Sequence, residues 1–270
     1  MTTSDAGWFH AAYTRYGDER NTALLFIHGV RLGREIWKPH ALALADEYSI
    51  VTLDLPGHGK LAALPFKTPT VEALLAHIVE DVLGKPPIVI GYSLGGYVAM
   101  QFAHDYPEHT AGLVLADCTL DLAGWLRHPY NWAVRGRWTV PTRSVRRTLA
   151  LLFRLTVHHR IAKTIVPLRF KRALVANSRA FKRIETFSGR LSKYRRPVLI
   201  VNGEWDFIFR ADEQKFARAA NAELGLIKRT DHIAPLRRPE EFAALVRQFA
   251  RGVYAAGDSP HAQTSNVDTL

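Results

Sequence analysis

Short apolar runs alternate with amphipathic stretches over the first 118 residues. The runs that suit buried strands are Thr22–Ile27, Tyr48–Leu53, Ile88–Ile90 and Ala111–Ala116. Between them, Val71–Leu83 and Gly96–His104 carry apolar residues at the spacing of a helix. This alternation predicts an α/β domain with a mostly parallel sheet and helices on both faces.

The same alternation resumes near the end of the chain. The predicted elements are a strand, a helix, a last strand and an amphipathic closing helix, at Pro197–Val201, Asp212–Ala220, Glu223–Ile227 and Glu240–Phe249. Residues 1–118 and 197–254 are therefore predicted to form one core. The polar residues 255–270 are predicted to be a disordered tail.

The segment 119–196 interrupts this pattern. Residues 120–196 contain 19 Lys and Arg against two acidic residues, and the whole chain carries a net charge of +11. The segment lacks strand-like runs, and Val145–Val157 projects as an amphipathic helix whose polar side carries Arg143, Arg147 and Arg154. Pro167 suits the first turn of a second helix through Leu168–Leu191. We interpret residues 119–196 as a basic helical cap inserted between two strands.

The charge of this cap allows three interpretations. Its basic side could be a solvated face, could contact an anionic membrane surface, or could attract acidic substrates. Nucleic acid is not an expected partner, because no recognition motif accompanies the charge. No apolar run has membrane-spanning length, and Met1–Tyr16 lacks the features of a signal peptide, which favours a cytoplasmic protein with or without peripheral membrane contact. The single cysteine, Cys118, excludes an intrachain disulfide and a multi-cysteine metal site.

The strongest chemical signal follows the third apolar run. Ile88–Ile90 leads into Gly91–Tyr92–Ser93–Leu94–Gly95, a Gly-x-Ser-x-Gly pattern that precedes a helical stretch. In this context the serine sits on a sharp strand-to-helix turn, with its hydroxyl above the sheet. The N–H of Leu94 is then free to stabilise an oxyanion. Ser93 is therefore a candidate nucleophile.

Partners for such a serine occur where other predicted strands end. His28–Gly29–Val30 follows the first strand, so the Val30 N–H is a candidate second oxyanion donor. Asp206 follows Pro197–Val201, and His232 lies between the last strand and the closing helix. Asp117, after Ala111–Ala116, is a second candidate for the acid that orients the histidine.

Five motifs occur in a characteristic order: Phe26–Gly29, Asp54–Gly59, Gly91–Gly96, Val201–Asp206 and Asp231–His232. They resemble the α/β-hydrolase-fold superfamily, in particular its lidded, esterase-like or lipase-like serine hydrolases. The resemblance covers about residues 10–118 and 197–250, without the cap. It implies that His232 takes the Ser93 proton, that Asp206 orients the imidazole, and that Val30 and Leu94 bind the oxyanion.

Other family positions have structural roles by the same resemblance. His28 would hold the turn that directs Val30, whereas Asp54 and His58 would stabilise a loop. The family usually has Ser after the Asp54–Gly59 motif, and Lys60 here places a charge near the expected mouth of the site.

The leading hypothesis is a serine hydrolase that cleaves an ester or thioester of a hydrophobic acyl group through an acyl-enzyme, without a metal or a cofactor. A serine at the elbow argues against dehalogenases and epoxide hydrolases, which need a carboxylate there. Carbon–carbon bond hydrolysis or lyase chemistry with the same triad stays open, as does a non-catalytic binding protein on the same fold. The sequence does not predict the oligomeric state.

Overall fold

Seven strands form one sheet in a computed structural model that describes residues 7–121 and 186–257. In chain order they are β1 (Tyr13–Tyr16), β2 (Ala23–Ile27), β3 (Ser49–Leu53), β4 (Ile88–Tyr92), β5 (Gly112–Ala116), β6 (Val198–Gly203) and β7 (Glu223–Ile227). Their order across the sheet is β1-β3-β2-β4-β5-β6-β7. All neighbours pair in parallel except β1, which runs antiparallel to β3. The predicted α/β-hydrolase fold class is thereby confirmed for the sheet and its helices.

Helices cover both faces of this sheet. The described α-helices are α1 (Gly7–Ala12), α2 (Lys38–Leu44), α3 (Thr68–His77), α4 (Leu94–Asp105), α5 (Phe187–Leu191), α6 (Glu213–Ala220), α7 (Ala234–Arg237) and α8 (Pro239–Gly257). Alternate side chains of the central strands point to opposite faces, so Leu25 and Ile27 join one apolar core while Leu24 and Phe26 join the other. The first core packs against α3, α4 and α6, and the second against α2 and α8.

Several elements differ from the sequence-based expectation. The edge strand β1 and the helix α2 were not predicted. The helix expected at Val71–Leu83 begins at Thr68, and its final part, Ile78–Leu83, is π-helical. The continuous helix expected through Leu168–Leu191 is wrong at Thr186, which has extended backbone and accepts the Gly189 N–H as the cap of α5.

The predicted cap and tail fall largely beyond the described chain. Residues 122–185, with Arg143, Arg147 and Arg154, lie outside the described residues, as do residues 258–270. Helix α8 continues to Gly257, so the first residues of the predicted tail are helical instead of disordered. In the two described stretches, no helix is both long enough and apolar enough to cross a membrane.

One buried carboxylate links the two stretches that flank residues 122–185. Asp121 accepts hydrogen bonds from the Phe187 N–H at 3.2 Å and from the Ser188 hydroxyl at 2.6 Å. Lys215 of α6 donates to the same carboxylate at 2.7 Å. The point where the chain leaves the core and the point where it returns are therefore held together against α6.

Candidate active site

Ser93 lies in the sharp turn between β4 and α4. Its φ of 50° and ψ of −114° form a backbone conformation that residues with a side chain seldom adopt. The turn closes tightly, because a Cβ on Gly91 would overlap the Gly95 carbonyl oxygen and a Cβ on Gly95 would overlap the Ile27 carbonyl oxygen. The Ser93 N–H donates to the Ala116 carbonyl at 2.9 Å, which ties the turn to β5.

The structure brings Ser93, His232 and Asp206 together. Ser93 Oγ lies 3.0 Å from His232 Nε2, and His232 Nδ1 lies 2.7 Å from Asp206 Oδ2. A carboxylate oxygen only accepts, so this arrangement places the imidazole proton on Nδ1 and leaves Nε2 to accept the serine hydroxyl proton. Asp206 is buried, and its second oxygen accepts the Phe209 N–H at 3.1 Å.

Two aromatic residues that were not predicted for the site hold the histidine. The Phe209 ring stacks on the His232 imidazole with 3.9 Å between centroids and 23° between planes. The buried Tyr92 donates its hydroxyl to the His232 carbonyl oxygen at 2.8 Å. Tyr92 adjoins Ser93 in the sequence, and Phe209 lies three residues after Asp206. This closeness to predicted site residues is the sequence feature from which both could have been predicted.

Asp117 takes a different place from Asp206. Its carboxylate accepts the backbone N–H of Gly203 at 2.9 Å and that of Ala234 at 3.3 Å, rather than bonding to the His232 imidazole. Burial raises the pKa of Asp117 to about 7, and the nearby His232 acts in the opposite sense. The geometry thus sets Asp206, and not Asp117, against the imidazole.

The predicted oxyanion donors lie on either side of Ser93. Leu94 is the first residue of α4, so its N–H has no acceptor within the helix. Val30 belongs to the loop after β2, and this loop passes close to the elbow, since a Cβ on Gly29 would lie 3.3 Å from Ser93 Cβ. Within residues 7–121 and 186–257, neither the Val30 N–H nor the Leu94 N–H has an acceptor.

A fully buried histidine shapes the loop that carries Val30. His28 Nε2 accepts the Leu55 N–H at 3.0 Å, so the proton on Nδ1 donates to the Gly29 carbonyl at 2.7 Å. Burial lowers the pKa of His28 to about 3, with the charge of His58 acting in the same direction, so the ring stays neutral.

Asp54 organises the neighbouring loop. Its oxygens accept the N–H of Arg34 at 2.7 Å and that of Lys60 at 3.0 Å, and it pairs with the Arg34 guanidinium at 3.3 Å. The Lys60 side chain is exposed. The described residues contain no cluster of three or more His, Cys, Asp or Glu side chains that could bind a metal ion. The expectation of an enzyme without metal or cofactor stays a prediction.

Comparison with known proteins places this geometry among related chains. The model of the alpha/beta hydrolase family matches residues 24–245. The chain is 27% identical to a poly(3-hydroxyalkanoate) depolymerase of Ectopseudomonas oleovorans, over 87% of this chain and 86% of the relative. It is 26% identical to a pimeloyl-[acyl-carrier protein] methyl ester esterase of Aromatoleum aromaticum, over 85% of this chain and 98% of that relative. A putative non-heme bromoperoxidase, BpoC, of Mycobacterium tuberculosis superposes with a TM-score of 0.75 at 21% identity, covering 90% of this chain and 96% of that one.

Proposed function

Because the chain belongs to the alpha/beta hydrolase family, we propose that it is a serine hydrolase of carboxylic esters with Ser93, His232 and Asp206 as its catalytic triad. The observation that carries this proposal is the pair of hydrogen bonds that links Ser93 Oγ to His232 and His232 to Asp206. A serine hydroxyl is a weak nucleophile at neutral pH and needs such a base within hydrogen-bond distance.

In the first half of the reaction, Ser93 Oγ attacks the carbonyl carbon of the ester while its proton moves to His232 Nε2. The carbonyl π electrons move to the oxygen, and the N–H groups of Val30 and Leu94 donate to that oxyanion. One such donor contributes about 3 kcal/mol to the transition state in related chemistry. When the tetrahedral intermediate collapses, the bond to the alcohol breaks, the alcohol oxygen takes the proton from His232, and the acyl group stays on Ser93.

The second half repeats these steps with water. Water gives a proton to His232 Nε2 and attacks the acyl carbon, and the resulting intermediate expels Ser93 Oγ, which recovers its proton from the imidazole. The product is the free carboxylic acid. Asp206 stabilises the imidazolium in both halves and fixes the ring orientation, and the stack of Phe209 on the ring adds to this.

We propose an ester or thioester of an apolar acyl group as the substrate. One relative is a poly(3-hydroxyalkanoate) depolymerase and the other is a pimeloyl-[acyl-carrier protein] methyl ester esterase. In this chain, exposed apolar side chains flank the buried Asp206: Trp205 is 52% exposed, Phe207 78% and Ile208 62%. Large exposed apolar side chains beside a reactive centre favour contact with an apolar group.

Initial rates on nitrophenyl esters from acetate to palmitate test the proposal. Ser93→Ala is expected to lower kcat by at least about 10⁴-fold and to abolish labelling by a fluorophosphonate. Ser192→Ala is the matched control, because this serine is exposed and, among the described residues, its hydroxyl donates to the Gly189 carbonyl of its own turn. Turnover that survives in Ser93→Ala would contradict the proposed mechanism. A rate that rises with acyl length would support the apolar substrate.

The basic cap at 119–196 and its contact with an anionic membrane surface stay predictions, since residues 122–185 are outside the described chain. Neutralising Arg143, Arg147 and Arg154 together is expected to weaken binding to anionic liposomes, since each basic residue near such a surface contributes about 1 kcal/mol. Unchanged binding would contradict the membrane contact.

A further inference from the structure

Asp117 combines two costly features at the carboxyl end of β5. It is a fully buried acidic residue, and its φ of 48° lies in the left-handed region. A non-glycine residue in that region and a buried carboxylate both cost free energy unless specific contacts compensate. Such features concentrate where a structure has to hold functional groups in place.

The compensating contacts lead to the two segments that carry Asp206 and His232. Gly203 N–H, which donates to Asp117 at 2.9 Å, belongs to the last residue of β6, three residues before Asp206. Ala234 N–H, which donates to the other oxygen at 3.3 Å, begins α7 two residues after His232. One carboxylate therefore spans both loops.

The backbone at the same point contacts the third segment. Asp117 N–H donates to the Val201 carbonyl at 3.0 Å, and the Ala116 carbonyl accepts the Ser93 N–H at 2.9 Å. Residues 116 and 117 thus bond to the elbow, to β6 and to the start of α7. These are the three elements on which Ser93, Asp206 and His232 depend.

We propose that Asp117 is a positioning residue, whose carboxylate fixes the Asp206 loop relative to the His232 loop without touching the substrate. The proposal rests on the function proposed above for Ser93, His232 and Asp206. A bridge of this kind acts on the rate of the chemical steps, because a displacement of about 1 Å between catalytic groups can lower a rate by about 100-fold.

Asp117→Asn tests the role of the carboxylate. The amide has the same shape and tolerates a positive φ, but it offers one acceptor oxygen, so one of the two backbone N–H groups loses its partner. We expect kcat on a nitrophenyl ester to fall about 10- to 100-fold. We expect KM to change by less than about threefold, since Asp117 makes no substrate contact.

Thr110→Val is the matched control, two residues before the other end of the same strand. Thr110 is also fully buried, and its hydroxyl bonds to Tyr194 at 2.8 Å and to the Pro107 carbonyl at 3.3 Å, on the opposite edge of the sheet from Ser93. This variant should lower the unfolding midpoint and leave kcat within about twofold of the wild type, which separates loss of stability from loss of positioning.

A second variant and a second readout cover the case in which Asp117→Asn does not fold. Asp117→Gly removes the carboxylate, but glycine adopts φ of 48° without strain, so part of the stability loss is offset. Hydrogen exchange should accelerate by at least about tenfold at the amides of both Gly203 and Ala234 in Asp117→Gly, and at one of these two amides in Asp117→Asn. In Thr110→Val it should not.

The outcomes are distinguishable. Loss of turnover in Ser93→Ala, together with a lowered kcat and faster local exchange in the Asp117 variants, supports the positioning role. A folded Asp117 variant with wild-type kcat, in a protein whose Ser93→Ala form is inactive, overturns the positioning role alone. Turnover that survives in Ser93→Ala overturns the proposed function and the positioning role with it.

Discussion

Replacing Asp206 by asparagine should lower kcat by more than the loss of one negative charge alone would. Asp206 Oδ1 accepts the Phe209 N–H at 3.1 Å, so in Asp206→Asn the amide oxygen has to stay on that side. The amide NH₂ is then directed at His232 Nδ1, which lies 2.7 Å from Asp206 Oδ2 in the wild type. Because the NH₂ group can only donate, the imidazole proton moves to Nε2, the atom that receives the Ser93 proton in the proposed mechanism.

The expected loss follows from this change of tautomer. With Nε2 protonated, His232 cannot act as the base, and the corresponding change in a related triad lowers kcat by about 10⁴-fold. That factor equals about 5 kcal/mol of transition-state stabilisation. The assay is kcat on a nitrophenyl ester, with the unfolding midpoint measured in parallel, and the substitution should leave that midpoint nearly unchanged.

Asp231→Asn is the control for charge alone. Asp231 adjoins His232 in the chain, its side chain is 47% exposed, and it pairs with Arg237 at 2.8 Å rather than with the imidazole. The kcat of Asp231→Asn should stay within about threefold of the wild-type value. If Asp206→Asn keeps more than about a tenth of wild-type kcat, the tautomer argument is wrong.

Three further predictions concern the framework of the site. Gly95→Ala should prevent stable folding, because the new Cβ overlaps a carbonyl oxygen of β2. Gly252→Ala, on the open side of α8, should instead raise the free energy of unfolding by up to about 1 kcal/mol. Thermal unfolding of both variants checks this, and equal unfolding midpoints would contradict it. Tyr92→Phe removes the hydroxyl that holds the His232 carbonyl and should lower kcat about three- to tenfold with KM unchanged, and an unaltered kcat would show that the bond does not position the ring. Burial raises the pKa of Asp117 from 3.8 to about 7, so the folded protein retains a proton that the unfolded chain releases between these values. The stabilisation from that proton is complete below pH 4 and is lost by pH 7. The free energy of unfolding of the wild type, relative to that of Asp117→Asn, should therefore fall across this range by on the order of 4 kcal/mol. Denaturant titrations measure this difference, and a difference that stays constant with pH would refute the prediction.

Most strands were predictable because they are buried. The apolar runs predict β2 to β6 within about two residues at either end, because strands inside a parallel sheet are covered on both faces. The edge strand β7 was predicted at Glu223–Ile227 as well, although only Ile227 of it is buried. Strand β1, Tyr13–Tyr16, was not predicted because it is a half-buried edge strand with Thr14 and Arg15 at its centre, so it has no apolar run. Helix α2 was not predicted because its seven residues include Pro39 and the exposed Leu42, which make the spacing of buried apolar residues irregular.

The site follows a similar division. Ser93, Asp206 and His232 each follow the carboxyl end of a predicted strand, and parallel pairing brings those ends to one edge of the sheet. These three residues could therefore be predicted from the sequence as one group. The contacts of Tyr92 and Asp117 depend on backbone groups of loops far away in the chain, and apolar periodicity carries no information on loop conformation.

The Asp121 carboxylate anchors both ends of the segment 122–185 to the core. It joins the exit at residue 121 to the return at Phe187 and Ser188, so contacts between described residues set the distance between these two points. The entropic cost of a loop between two fixed ends grows only by about 0.6 kcal/mol for each doubling of its length. We therefore expect the core to tolerate segments of other lengths between residue 121 and Phe187 at a small cost in loop entropy.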